Sequence, residues 1–291
     1  MMLRISGLQE MREWSRSNRV EGRKVGLVPT MGYLHEGHLR LIDRGRGAAD
    51  ALAVSVFVNP IQFGPSEDFL TYPRDIERDI ELIEHRGGDC VFVPEAAAMY
   101  RSEPVVTVAP GSIAAHLCGP RRPGHFEGVL TVVAKLFNVV EPDMAVFGRK
   151  DVQQARAITR MVEDLDFAVQ ILVAPTVREP DGLAMSSRNS YLSPEERTAA
   201  ASIPASLEAA HHQFVSGVTD VGALVATTRE ILARERLIEV DYTEAVDPDT
   251  MAPASVADPE TIVALAARVG KARLIDNVVL GAGVQADEIL E

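Results

Sequence analysis

The chain is 291 residues long, with 29 Lys and Arg against 42 Asp and Glu and a formal net charge of −13. An acidic surface of this size argues against general nucleic-acid binding, but leaves room for a local positive pocket that attracts a small polyanion. With 46% hydrophobic and 24% charged residues, the composition is that of a globular protein with one large domain or two of ordinary size. The opening residues lack the apolar core of a signal peptide, and every later apolar run is interrupted before membrane-spanning length. The expectation is cytoplasmic residence and no membrane partner. Cys90 and Cys118 do not make a disulfide framework and read as reduced thiols.

In chain order, Val25 to Val28 reads as a short strand ended by Pro29. Leu39, Leu41 and Ile42 supply the apolar side of a helix over 36–49, and the apolar run 51–58 reads as a buried strand. A helix over 76–85, broken at Gly87 and Gly88, leads to a strand over 90–93. Val129, Val132, Val133, Leu136 and Phe137 are spaced for burial on a helix over 128–139. A strand over 144–147, a helix over 152–165 and a strand over 168–173 follow. These alternations predict an α/β fold, a Rossmann-like and mostly parallel sheet with helices on both faces and ligands at the carboxyl ends of its strands. Beyond the turn at 189–194 the texture changes. Residues 195–236 are Ala-rich and helical, and short strands over 240–246, 261–267 and 272–275 predict a smaller C-terminal α/β domain. The expected division is 1–176 and 177–291, with the second part covering or completing a site built mainly by the first.

Chemistry is concentrated at a few strand ends. Met31-Gly32-Tyr33-Leu34-His35-Glu36-Gly37-His38 places two imidazoles three residues apart where a strand turns into a helix. Free N–H groups and the positive end of the helix can hold phosphate oxygens there while the imidazoles donate hydrogen bonds to developing charge. Equally, one histidine fills local structure and the other is exposed, or His35, His38 and His125 ligate a metal, although no Cys/His/carboxylate cluster completes that set. Gly148-Arg149-Lys150-Asp151 follows a strand and precedes a helix: either Gly148 permits close approach, Lys150 neutralises phosphate, and Asp151 caps the helix or holds a nucleotide hydroxyl, or the segment is a solvated strand-end turn. Met185-Ser186-Ser187-Arg188 can clasp phosphate oxygens with Arg188 as the charged contact, or be an ordinary polar loop. Asn59, Gln62 and Gln154 can orient a polar substrate without adding charge. Arg121 and Arg122 either approach an anion or serve solubility. Asp68, Tyr72, Arg74 and Asp75 form either a lid or a surface loop.

The Walker GxxxxGK[ST] spacing and the GxGxxG turn are both absent, so a non-Walker nucleotide site, with attack on the α-phosphate of ATP, is the class these residues favour. At this point a family resemblance becomes visible. His35-Glu36-Gly37-His38 resembles the HxGH element of the nucleotidyltransferase superfamily, and Met185-Ser186-Ser187-Arg188 its second, KMSKS-like phosphate loop. The strings 29–32, 57–64, 122–126, 150–154 and 187–189, with Arg273-Leu274-Ile275-Asp276-Asn277 near the end, are similar to the pantothenate synthetase family across essentially the whole chain.

The resemblance implies ATP-dependent condensation of (R)-pantoate with β-alanine to pantothenate through a pantoyl adenylate, with release of pyrophosphate and AMP. It implies that Met31, Gly32, Tyr33, Leu34, His35, Glu36, Gly37 and His38 border ATP, with His38 catalytic and His35 its partner. It implies further nucleotide contacts from Gly148, Arg149, Lys150, Asp151, the Val177 backbone, Met185, Ser186, Ser187 and Arg188, with Lys150 and Arg188 counted among the catalytic groups. Gln62 and Gln154 would hold pantoate. Mg²⁺ would enter with ATP rather than in a protein cage, and a homodimer is implied. The chain departs from common family choices at Tyr33, Arg149 and Met185, which bears on binding and packing more than on reaction class. Transfer of a nucleotide to a phosphorylated acceptor, or nucleotide sensing without turnover, are the competing readings, and product analysis separates them.

Overall fold

Strands that are apolar on both faces need cover on both, and the first part of the chain supplies it. The computed structural model describes residues 2–65, 67–102 and 104–290, so that Met1, Ser66, Glu103 and Glu291 lie outside the described residues. Its first elements are β1 (Leu3–Ile5), α1 (Leu8–Val20), β2 (Val25–Thr30), α2 (Glu36–Ala48), β3 (Ala51–Val56), α3 (Ile76–His85) and β4 (Cys90–Phe92). They are followed by α4 (Ala96–Met99), α5 (His125–Val140), β5 (Met144–Gly148), α6 (Val152–Asp164) and β6 (Gln170–Ala174). The six strands form one parallel sheet in the order β1-β4-β3-β2-β5-β6. Val28, Val54, Val91 and Val146 from four neighbouring strands pack with Leu39 and Ile42 of α2 and Ile83 of α3 in its core.

The order of these strands locates the ligand end of the sheet. From β2 the chain builds outward through β3 and β4, then returns to the other side of β2 for β5 and β6. The reversal falls between β2 and β5, whose carboxyl ends are Thr30 and Gly148, and such reversals are where open α/β sheets bind ligands. The expected Rossmann-like fold is therefore present, with the HxGH turn on one side of the switch point.

Several features of this unit were not predicted, the short elements β1 and α4 among them. Helix α1 buries Met11, Ser15 and Asn18, an interior side with two polar members and no apolar stripe to announce it. Helix α5 begins at His125, three residues ahead of the predicted start, because Gly124 adopts φ 81° and turns the chain directly into it.

The remaining elements are β7 (Val177–Arg178), α7 (Pro194–Ala200), α8 (Ser202–Val215), α9 (Val221–Leu232), β8 (Ile238–Val246), β9 (Ile262–Val269), β10 (Ala272–Val279) and β11 (Glu288–Ile289). Strands β8 to β10 make an antiparallel sheet, with a bulge between Val240 and Tyr242, and β11 pairs in parallel with β7. Leu183, Ile203, Leu207, Leu224, Leu232, Val263 and Leu265 fill the core of this second unit.

The chain divides into two compact units, one comprising Met1–Pro110, Arg122–Gly148 and Ala157–Ala174, the other Gly111–Arg121, Arg149–Arg156 and Pro175–Glu291. A cut at 176/177 assigns 111–121, 149–156 and 175–176 to the first part, where this division has them in the second unit. Segments 111–121 and 149–156 are held together by side chains distant in sequence. The buried Gln153 accepts from Cys118 N at 3.0 Å and donates to Ile113 O at 2.9 Å and His116 O at 2.8 Å. Cys90 and Cys118 are both buried and free.

Candidate active site

In the first unit, the HxGH turn is fixed by a residue far from it in sequence. Gly32 has φ 83° and Tyr33 φ 52°, so the backbone after β2 turns through two successive left-handed residues. Asp79 of α3, 1% exposed, accepts from Tyr33 N at 2.8 Å and Leu34 N at 2.7 Å with its two carboxylate oxygens. A Cβ on Gly32 would lie 2.8 Å from Val56 Cγ1 and 2.9 Å from Asp79 Oδ2, so glycine is demanded both by space and by φ. Burial pushes the Asp79 carboxyl up from its ordinary value, and the two amides it accepts from work in the opposite direction. Arg78 adds a hydrogen bond to Leu34 O at 3.0 Å and lies over the Tyr33 ring.

Replacing Asp79 by Asn keeps size and shape but sets an NH₂ group against one of the two backbone donors. Leaving a buried donor unsatisfied costs about 1–3 kcal/mol. The expected result for Asp79→Asn is a lower unfolding midpoint together with a raised KM for nucleotide, measured by urea unfolding and steady-state kinetics. Unchanged values for both would remove Asp79 from the site.

The turn delivers His35 as the N-terminal boundary residue of α2, with His38 one turn in. The ring centroids are 4.1 Å apart, and His35 N donates to His38 Nδ1 at 3.4 Å. A ring nitrogen that accepts carries no proton, so in the neutral imidazole the hydrogen is on Nε2. Glu36 takes a different part: both its oxygens accept from Arg86 Nη2, at 2.8 and 3.0 Å, which pins the first turn of α2.

Gln62 is brought to the same turn, its Nε2 lying 3.3 Å from Met31 Sδ. Its Oε1 accepts from Asn59 Nδ2 at 3.0 Å. Asn59 itself is buried, donates also to Gly128 O, and accepts from Tyr100 Oη at 2.8 Å, so it orients Gln62. From the other side, His125 Nδ1 donates to Gln62 O at 2.9 Å, and His125 Nε2 lies 2.8 Å from Arg122 Nη1. Arg122 makes a bidentate pair with Glu67 at 2.6 and 2.7 Å, and this partner, against the opposing effect of burial, takes the Glu67 carboxyl down to about 2. Arg122 is thus committed to Glu67. Asp75 caps α3 by accepting from Arg78 N, and Arg74 donates to Tyr72 O at 2.8 Å.

Helix α5 approaches this segment through Gly128, where an added Cβ would stand 2.5 Å from Ile61 O and 2.6 Å from Gln62 Cα. Both are backbone atoms and cannot rotate away. Gly128→Ala is therefore expected to displace Gln62 and the 59–63 segment and to cost about 1–3 kcal/mol of stability, read as a lower urea unfolding midpoint. An unchanged midpoint would mean that α5 and this segment are not in the close contact described.

In the second unit, Lys150 and Asp151 follow directly after β5. Asn277 of β10 donates to both Arg149 O and Lys150 O at 3.0 Å, shaping the segment. Burial pushes the Lys150 ammonium down from its ordinary value; Asp151 works against that shift and the positive Arg188 adds to it. Two cations that oppose one another in a desolvated setting favour an anionic ligand. Arg149 is paired with Asp287, so its guanidinium is already engaged. Asp151 is exposed and Gln154 half-buried on α6. A Cβ on Gly148 would meet only Leu41 Cδ2 at 3.9 Å, which leaves open space beside the backbone.

The 185–188 segment is anchored from both ends. Met185 N donates to Val177 O at 2.9 Å. Ser186 Oγ accepts from Arg188 N at 3.3 Å at the start of a single turn of 3₁₀ helix over Ser187–Tyr191. Asn189, buried, donates to Glu179 and to Ala184 O. Beneath β7 lies the ion pair that sequence reasoning missed entirely. Arg178, 0% exposed, donates to Asp276 at 2.7 and 3.0 Å, to Asp287 Oδ2 at 2.7 Å and to Gly182 O at 3.0 Å.

Among the described residues, the one group of His, Cys, Asp and Glu side chains with metal-binding spacing is Glu208, His211 and His212, and it contains none of the candidate residues. His35, His38 and His125 do not form such a group. Segments 149–151 and 185–188 offer N–H groups, hydroxyls and cations, groups that suit phosphate oxygens, together with the Asp151 carboxylate.

The family description Pantoate-beta-alanine ligase matches residues 4–279. The chain belongs to that family. It is 49% identical over 283 residues to a pantothenate synthetase of Thermoanaerobacter sp. (strain X514), covering 97% of this chain and 100% of the relative. It is 50% identical over 277 residues to the pantothenate synthetase of Thermotoga petrophila, covering 95% and 99%. Among solved structures, the pantothenate synthetase of Thermus thermophilus superposes with a TM-score of 0.90 at 42% identity, covering 96% of this chain and 99% of the other. The Francisella tularensis pantoate-beta-alanine ligase, complexed with beta-gamma ATP and beta-alanine, superposes with a TM-score of 0.79 at 30% identity, covering 98% and 100%. In this member of the ligase family, no described helix is long and apolar enough to cross a membrane.

Proposed function

We propose that the chain is an ATP-dependent ligase that joins (R)-pantoate to β-alanine in two steps. A pantoate carboxylate oxygen attacks the α-phosphorus of ATP, forming a P–O bond as the bond to pyrophosphate breaks. The neutral amine of β-alanine then attacks the acyl carbon, the C–O bond to AMP breaks, and the amine loses its proton as the amide forms. Adenylation is required because a free carboxylate is a poor acyl donor to an amine. The mixed anhydride has to be kept from water until the amine arrives.

The observation that carries this reading is His38, held one turn into α2 with Nδ1 accepting from the His35 amide, which places the imidazole hydrogen on Nε2. Negative charge grows on the phosphate oxygens during adenylation, and a preset donor at a helix N-terminus stabilises that charge without reorganising. Pyrophosphate needs no proton in order to leave, so His38 acts as a hydrogen-bond donor. Lys150 and Arg188, in the second unit, are assigned to the departing phosphates, whose charge offsets the desolvation that pulls Lys150 down. Ser186, Ser187 and the amides of 149–151 are assigned to the same nucleotide. Gln62 and Gln154 are assigned to the hydroxyl and carboxylate of pantoate. Mg²⁺ arrives as the counter-ion of ATP. The proposal extends to a homodimer in the cytoplasm.

Product formation tests the reaction. Pantothenate, AMP and pyrophosphate are expected in equal amounts when ATP, pantoate and β-alanine are all present, and pantothenate is expected to vanish when any one is omitted. A stable nucleotidylated product, or nucleotide binding without turnover, would overturn the ligase reading. Gln62→Ala and Gln154→Ala are each expected to raise the KM for pantoate more than the KM for ATP. A purely structural role would shift both together.

A further inference from the structure

Helix α8 carries the one group of described side chains with metal-binding spacing, and the ligase chemistry makes no use of it. Glu208, His211 and His212 stand at i, i+3 and i+4 on its last turns, with one ligand atom from each within 4.8 Å of the others. His211 Nδ1 lies 2.7 Å from Leu280 O. A carbonyl only accepts, so Nδ1 carries the proton and the lone pair is on Nε2. This is the outer-shell arrangement that orients metal-binding imidazoles. Gly283 packs over the face of that imidazole: a Cβ there would lie 2.7 Å from Nε2, 2.8 Å from Cδ2 and 3.0 Å from Cε1, so the absence of a side chain lets the ring keep this orientation and leaves its in-plane lone pair uncovered by Gly283. Glu208 is oriented as well, since its Oε2 accepts from Val284 N at 3.1 Å, while its Oε1 is 3.3 Å from His212 Nε2.

We propose that Glu208, His211 and His212 bind one divalent cation of the zinc class, with water completing its coordination. Two imidazoles and one carboxylate suit zinc and its transition-metal neighbours, and do not suit magnesium or calcium, which take oxygen. Tetrahedral zinc sets its ligand atoms about 3.3 Å apart. His212, with 65% of its side chain exposed, is free to rotate inward and close the difference. His211 and Glu208 are already set by the chain from Leu280 to Val284.

The test uses the full-length protein, stripped with chelator and titrated with zinc chloride. One zinc per chain is expected, with binding weakened about tenfold or more in Glu208→Gln, His211→Gln and His212→Ala and unchanged in His85→Gln, which alters an exposed histidine elsewhere. Zinc is also expected to raise the unfolding temperature of the parent protein and not of His212→Ala. His212 is exposed, so this variant removes little packing and the comparison does not depend on a protein that fails to fold. Failure to bind one equivalent, binding that survives all three substitutions, or an equal loss in His85→Gln would overturn the proposal. None of these readouts involves catalysis, so their failure leaves the ligase reading untouched.

Discussion

His38→Ala is expected to lower pantoate-dependent ATP/pyrophosphate exchange by about 10²- to 10³-fold, the usual effect of removing one preset donor to transition-state charge. The side chain is half-buried and its contact to His35 N is long at 3.4 Å, so its loss creates no large cavity, and the first turn of α2 stays pinned by Arg86 and Glu36. Circular dichroism and the urea midpoint should therefore stay near those of the parent. The KM for ATP is expected to move less than kcat, because the donor is needed most where charge develops. His38→Gln, which also presents an N–H, is expected to recover part of the loss. Exchange unchanged in a folded His38→Ala protein would remove His38 from catalysis.

The HxGH turn was legible because its information is local. A glycine at a strand end, two histidines three apart and an apolar helix face over the following residues all sit within one stretch of chain. What fixes the turn was not legible: Asp79 is 46 residues from Tyr33 and stands among other acidic residues on α3, with no pattern to set it apart. Asn59 and Gln62 were read alike as polar residues at a strand exit, and nothing in that local pattern showed that Asn59 is the buried group that orients Gln62. Arg122 carried two readings, an anion contact or solubility, and took a third, a bidentate pair with Glu67 55 residues away. Segments 111–121 and 149–156 were placed with the first domain because they lie inside its sequence. Gln153 ties them to each other and Asn277 holds the carbonyls of Arg149 and Lys150, and sequence proximity carries no signal of either contact. Helix α1 escaped because it buries Ser15 and Asn18 alongside Met11, which erases the apolar period.

Arg178→Gln is expected to destabilise the protein by about 3–5 kcal/mol, the usual cost of breaking a buried ion pair from one side. Arg178, Asp276 and Asp287 are between 1% and 3% exposed at their side chains. Burial alone disfavours the guanidinium charge, and the two carboxylates more than offset it, so its pKa lies above the ordinary arginine value. Removing the cation strands Asp276 without its charge partner and leaves Asp287 with Arg149 alone. Asn277, next to Asp276, holds the carbonyls of Arg149 and Lys150, so the loss should also weaken nucleotide binding in the protein that remains folded. Removing both partners in Arg178→Met with Asp276→Leu is expected to restore part of the stability, because no uncompensated charge is then buried. Urea unfolding reads both effects, and a single variant as stable as the parent would contradict the role given to the pair.

The central claim is that a pantoate carboxylate oxygen attacks the α-phosphorus of ATP and leaves with AMP. Pantoate labelled with heavy oxygen at its carboxylate tests it directly, by mass spectrometry of the nucleotide product after turnover with β-alanine. One labelled oxygen in the phosphate of AMP is the predicted result. Unlabelled AMP, or label in inorganic phosphate alongside ADP, would contradict it.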